Sequence, residues 1–83
     1  MVNVRIPPAM RPAAEGAREI RVAGHTIGDV LGDLTSRFPQ LGDQLRYANV
    51  YVDGEDIRTL AELETPVADE ATIVLLPAMA GGV

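Results

Sequence analysis

One stripe of helical periodicity set between stretches of strand periodicity constrains this chain more than any other feature. Ile27, Val30, Leu31, Leu34 and Phe38 recur at three- and four-residue intervals, which places them on one face of one helix. Thr26 is a good N-cap, and Asp29 three residues later supplies a short version of the capping box, which normally uses Glu or Gln. Pro39 marks the exit. Gly28 and Gly32 each cost roughly 1 kcal/mol of helix propensity relative to alanine, a cost that close packing across a sheet is expected to recover. With 83 residues there is room for one core. The stripe must therefore cover a face of whatever sheet the remaining residues form.

Val2, Val4 and Ile6 alternate with polar residues as a half-buried strand does, and Pro7 and Pro8 stop it because neither can donate to a ladder. Pro12 to Gly16 reads as a turn. Arg18 to Ala23, with Ile20 and Val22 alternating, reads as a second strand, close enough to the first to pair with it antiparallel. Beyond the helix, Leu41 and Leu45 offer one face of a short helical turn. Asn49 to Val52 is a third strand, and Asp53-Gly54 is the strongest turn signal present, because a tight hairpin turn needs positive φ. A short fourth strand is expected around Asp56 to Arg58, then a connection carrying Leu60 and Leu63, then a last strand from Thr72 to Leu76 ended by Pro77.

That last strand differs from the first. Ile73-Val74-Leu75-Leu76 is apolar on both faces, as befits a strand in the middle of a sheet, parallel to and beside the first. The expected fold is α+β: a β-grasp (ubiquitin-like) mixed sheet with one main helix packed across it. Residues 1–77 form the domain and residues 78–83 a flexible C-terminal tail. One face of the last strand meets the helix. The other, with Val74 and Leu76, is either the interior of a dimer or a docking patch for a partner; docking is preferred, with Met79 as a further contact.

Composition excludes several functions. There is no cysteine, hence no disulfide framework, thiolate metal site or cysteine nucleophile. Twelve acidic and seven basic residues give a net charge of -5, which repels a phosphate backbone, so nucleic acid is not an expected partner. No segment is long and apolar enough for a signal peptide or a bilayer span, so the expectation is a cytoplasmic protein without membrane contact. All seven basic residues are arginine. Without lysine the chain is a poor acceptor of an isopeptide bond, though it can be a donor through its own terminus. No nucleophile and base pair is visible for an enzyme, and no cofactor or metal of its own is expected.

The tail, Ala78-Met79-Ala80-Gly81-Gly82-Val83, is small-residued apart from Met79 and Val83. An extended backbone of this kind can enter a narrow channel, where glycine has no Cβ to collide with a nucleotide or catalytic group. A carboxylate is inert as it stands. Joined to AMP it becomes a mixed anhydride, from which a sulfur donor can displace AMP to leave a thiocarboxylate. Ordering such an arm costs about 1–2 kcal/mol per residue, which contact between the sheet face and a partner must offset.

The ending Leu75-Leu76-Pro77-Ala78-Met79-Ala80-Gly81-Gly82, with Asn49-Val50-Tyr51-Val52-Asp53-Gly54-Glu55-Asp56 upstream, closely resembles the MoaD/ThiS group of ubiquitin-like sulfur carriers, and most of all its CysO branch. The resemblance covers essentially the whole chain. It implies that an ATP-dependent adenylating enzyme of the MoeB or MoeZ type activates Gly82 and that a sulfurtransferase activity makes the thiocarboxylate. In the CysO branch a pyridoxal-phosphate-dependent cysteine synthase accepts the sulfur onto an activated serine, leaving cysteine on the carrier's glycine, and a JAMM-type zinc peptidase releases it. Val83 departs from the pattern by one residue. It displaces the terminal carboxylate from Gly82, and its branched side chain would crowd a channel shaped for glycine. By resemblance to carriers with trimmed extensions it is read as a residue to be removed, against an artificial addition or an inactive relative. Rival readings are the small subunit of molybdopterin synthase, from which Ala78 in place of a second proline leans away, a thiamine-pathway or secondary-metabolite carrier, and a non-covalent β-grasp interaction module.

Other candidate sites read more simply. His25 alone has too few companions for a structural zinc site. Asp53, Glu55 and Asp56 do not have the spacing of a calcium loop. Gly24, Gly28 and Gly32 lack the dinucleotide fingerprint. Arg11 and Arg18 are candidates for contact with the adenylating enzyme, but sequence alone does not separate that role from solubility.

Overall fold

The structure, a computed structural model, describes residues 1–77. Strand β1 (Val2–Arg5) leads through a 3-10 helix, Pro8–Ala14, to β2 (Glu19–Val22). Helices α1 (Ile27–Arg37) and α2 (Pro39–Leu45) follow, then β3 (Ala48–Val52) and the two-residue β4 (Glu55–Asp56). Two 3-10 turns, Ile57–Thr59 and Glu62–Glu64, lead to β5 (Thr72–Pro77). The sheet order is β2-β1-β5-β3-β4, with β5 parallel to β1 and antiparallel to β3. This is the mixed sheet of the β-grasp fold, with the last strand in the centre as its two apolar faces require.

Strand alternation sorts the side chains. Val2, Val4 and Ile6, Ile20 and Val22, Val50 and Val52, and Ile73 and Leu75 are all buried on the helix side. From α1, Ile27, Val30 and Leu34 are completely buried against them, with Leu31 and Phe38 half-buried at the margin. Each fully buried aliphatic side chain of this kind contributes roughly 1.5–3 kcal/mol of transfer free energy. Helix α1 starts as expected: the Thr26 hydroxyl accepts the Asp29 N–H at 3.2 Å. The shorter Asp29 carboxylate reaches past the cap residue and accepts the His25 N–H at 3.1 Å. The Ile27 N–H donates to the Thr65 carbonyl, tying the helix start to the long connection before β5. Gly24 lets the chain pass close beneath the helix, since a Cβ there would lie 2.9 Å from Val30 Cγ2.

Several local expectations change. Pro12 to Gly16 is not a simple turn: the 3-10 helix begins at Pro8 and buries Met10 and Ala14 in the core, and it ends through Glu15 and Gly16, both with positive φ. The expected strand at Asp56 to Arg58 is only Glu55–Asp56, because the Asp56 carboxylate accepts the Arg58 N–H at 2.9 Å and turns the chain. The short helical turn at Leu41 and Leu45 is a two-turn helix, begun by Pro39, that buries Leu41 completely. The helical glycines do not pack on the sheet. Gly28 lies against the Leu63 carbonyl and Gly32 faces open space, so Gly32 recovers none of its helix cost by packing.

Candidate functional site

The face of the sheet away from the helices carries the residues that alternation leaves outside. Register runs one row across all five strands: Glu19 beside Arg5, Arg5 beside Val74, Val74 beside Tyr51, and Tyr51 beside Asp56. Leu76 lies one step further along β5, opposite Asn49. Leu75, one residue earlier, is fully buried, whereas Leu76 is 43% exposed and Val74 half-buried. The sequence-derived pair Val74 and Leu76 thus shares an open face on the central strand, bordered by arginine, asparagine and tyrosine. Met79, Ala80, Gly81, Gly82 and Val83, expected from the sequence to serve in the tail, its processing and docking, lie outside the described residues.

Strand β5 continues through Pro77, paired with Ala48, rather than stopping at Leu76. A proline is tolerated there because it is the last residue of the ladder. The end of the strand is flanked by two grooves. One, of about 490 Å³, runs along Val74 and Leu76 between β1, the start of β2 and the 3-10 helix. The other, of about 280 Å³, lies between Met10, Gln44, Tyr47 and Pro77. Tyr47, 72% exposed beside this groove, went unnoticed in the sequence because it falls between elements and in no periodic pattern.

The other candidates resolve into structural roles. The Asp53-Gly54 turn has φ values of 49° and 87°. The Asp53 carboxylate also accepts the Thr72 N–H at 3.0 Å, holding the start of β5 beside the hairpin. Asp56 pairs with Arg58 at 2.7 Å. The Arg58 side-chain hydrogen bonds, then its backbone N–H, hold the Asp56 carboxyl below its ordinary range, and the same pairing raises the Arg58 guanidinium. His25 is exposed and its carbonyl accepts the Val67 N–H. Among the described residues no group of three His, Asp or Glu side chains is placed to hold a metal, and no helix is long and apolar enough to cross a membrane.

A β-grasp domain whose last strand is central and carries an open, partly apolar face has the form of a ubiquitin-like carrier. The comparisons with known proteins agree. The model of the ThiS family matches residues 4–82. The chain is 34% identical, over a 91-residue alignment covering 98% of each chain, to the sulfur carrier protein CysO of Mycobacterium tuberculosis (strain CDC 1551 / Oshkosh). A chain of the Amycolatopsis orientalis BexX/CysO complex superposes with a TM-score of 0.89 at 35% identity, covering 99% of this chain and 100% of that one. The solution structure of small archaeal modifier protein 1 from Methanosarcina acetivorans gives 0.87 at 30% identity, covering 98% and 95%. The chain therefore belongs to the ThiS family, within the MoaD/ThiS group and close to its CysO branch. As a member of this family of small carrier proteins it is not an enzyme.

Proposed function

We propose that this chain is a cytoplasmic sulfur carrier that works through a thiocarboxylate at Gly82, formed after Val83 has been removed by a JAMM-type zinc peptidase. A Gly82 carboxylate oxygen attacks the α-phosphate of ATP on a MoeB/MoeZ-type enzyme, releasing pyrophosphate and leaving an acyl adenylate. A hydrosulfide equivalent from a sulfurtransferase then displaces AMP. On a pyridoxal-phosphate-dependent cysteine synthase the thiocarboxylate sulfur replaces the activating group at the β-carbon of an activated serine, that group leaving with its bonding electrons. The resulting thioester passes its acyl group from sulfur to the cysteine nitrogen, and hydrolysis of this Gly82–cysteine amide by a JAMM-type peptidase frees cysteine and restores the Gly82 carboxylate.

The observation that carries this reading is that the family match runs through Gly82 and stops before Val83. The position of β5 supports it. A tail leaving the central strand at Pro77 starts beside the open face of Val74 and Leu76, so one partner can hold the face and the tail together. The test compares the 83-residue chain, the same chain ending at Gly82, and a Gly82→Ala form of the latter, each incubated with the purified adenylating enzyme and ATP. Pyrophosphate release is expected from the chain ending at Gly82, little from the chain ending at Val83, and little from Gly82→Ala despite an unchanged melting temperature. Equal release from all three would contradict the reading.

A further inference from the structure

The arginines of this chain fall into two groups. Arg21, Arg37 and Arg58 are engaged by Glu70, Asp33 and Asp56 at 2.7, 3.0 and 2.7 Å. Arg5, Arg11, Arg18 and Arg46 form no ion pair among the described residues, although acidic residues outnumber basic ones by twelve to seven in the chain. Three of these four, Arg5, Arg11 and Arg18, line the same groove, the one of about 490 Å³ beside Val74 and Leu76.

The fold puts them there by separate routes. Alternation turns Arg5 outward on β1, next to Val74 in register. Arg11 comes from the 3-10 helix, and its Nε–H donates to the Ile6 carbonyl at 3.0 Å, which fixes the guanidinium stem over the end of β1. Arg18 precedes β2, and its carbonyl accepts the Ile6 N–H at 2.8 Å. Glu19 lines the groove and faces Arg5 in register, yet the two make no ion pair. An acidic chain has thus gathered three unneutralised guanidinium groups where its central strand runs out.

We infer that this groove is the specificity element of the docking face: Arg5, Arg11 and Arg18 receive a cluster of Asp and Glu side chains on the adenylating partner while Val74 and Leu76 meet apolar side chains beside it. Guanidinium groups suit such a partner because their planar donors match carboxylates bidentately and are less strongly hydrated than ammonium. Opposite charge across an interface chiefly sets encounter rate and orientation. Here it would align the terminus before the tail enters a channel. The inference rests on the carrier reading above, because it presumes that a partner takes up the tail.

The test measures adenylation of the chain ending at Gly82 by the purified MoeB/MoeZ-type enzyme, for wild type, the double variant Arg5→Glu/Arg18→Glu, and Arg46→Glu. Arg46 is exposed, at the end of α2 and away from the groove. The double variant is expected to raise the KM for the carrier about tenfold or more with kcat nearly unchanged, and the difference should shrink as salt is added. Arg46→Glu should leave KM within about twofold of wild type, as expected for a charge outside the interface. An unchanged KM in the double variant, or an equal rise with Arg46→Glu, would overturn the inference while leaving the carrier reading intact. A rise in the KM for ATP instead would assign the groove to nucleotide phosphates and also overturn it. No adenylation of wild type would remove the carrier reading and the groove's role together.

Discussion

Leu75 and Leu76 are neighbours on one strand with opposite environments, and exchanging each for a smaller or charged residue separates fold from docking. Leu75 is fully buried beneath the helix layer. Leu75→Ala removes that packing and leaves a cavity, at a cost of about 2–5 kcal/mol. In a domain of this size each kcal/mol is about 4–8 °C, so melting should fall by roughly 8–40 °C. Leu76 is 43% exposed, so a partner can remove from water something under half of a side chain worth about 1.5–3 kcal/mol when fully buried. Leu76→Ala should therefore weaken partner binding by about 1 kcal/mol, close to fivefold in Kd. Leu76→Asp should weaken it further, because a carboxylate without a partner would be desolvated. Both Leu76 variants should melt within a few degrees of wild type. Thermal unfolding by circular dichroism, with titration calorimetry against the adenylating enzyme, reads both quantities. A folded Leu76→Asp that binds as tightly as wild type would refute the docking argument. A Leu75→Ala that melts normally would refute the assignment of the buried face.

Two further outcomes are expected. Gly32→Ala, at an open helical position, should raise stability by up to about 1 kcal/mol, whereas Gly28→Ala should gain less because its Cβ would lie 3.2 Å from the Leu63 carbonyl oxygen; urea unfolding of the two variants checks the difference. Asp56 has a folded pKa below its ordinary 3.8, so its contribution is present above that value and is lost as pH falls through the depressed folded pKa. Asp56→Asn should therefore flatten the acid limb of the stability profile below about pH 4 while leaving the neutral region with little pH dependence, as read by melting temperature against pH.

The strands and main helix were legible because their signals are periodic. Ile27, Val30 and Leu34 gave the helix face, Asp53-Gly54 the hairpin, and the doubly apolar run at Ile73 to Leu76 the central strand. The 3-10 helix at Pro8–Ala14 was not legible, because its two buried residues, Met10 and Ala14, are four apart among prolines that read as breakers. The short fourth strand begins one residue earlier and ends two residues sooner than expected, because the turn that ends it is made by the Arg58 backbone N–H donating to the Asp56 carboxylate rather than by glycine or proline. On the candidate site, alternation alone set Val74 and Leu76 on one face. Arg5 was open to the same argument, since parallel pairing with β5 places it beside Val74. The convergence of Arg11 and Arg18 with it was not, because it depends on how the 3-10 segment folds back toward Ile6.

The intact mass of the protein recovered from its native cells, without added thiol or strong acid, tests the central claim most directly. The account predicts a chain that has lost Val83 and in part of the sample carries sulfur in place of one oxygen at Gly82. Only unmodified chain ending in Val83, with the adenylating and peptidase enzymes present in the same cells, would contradict it.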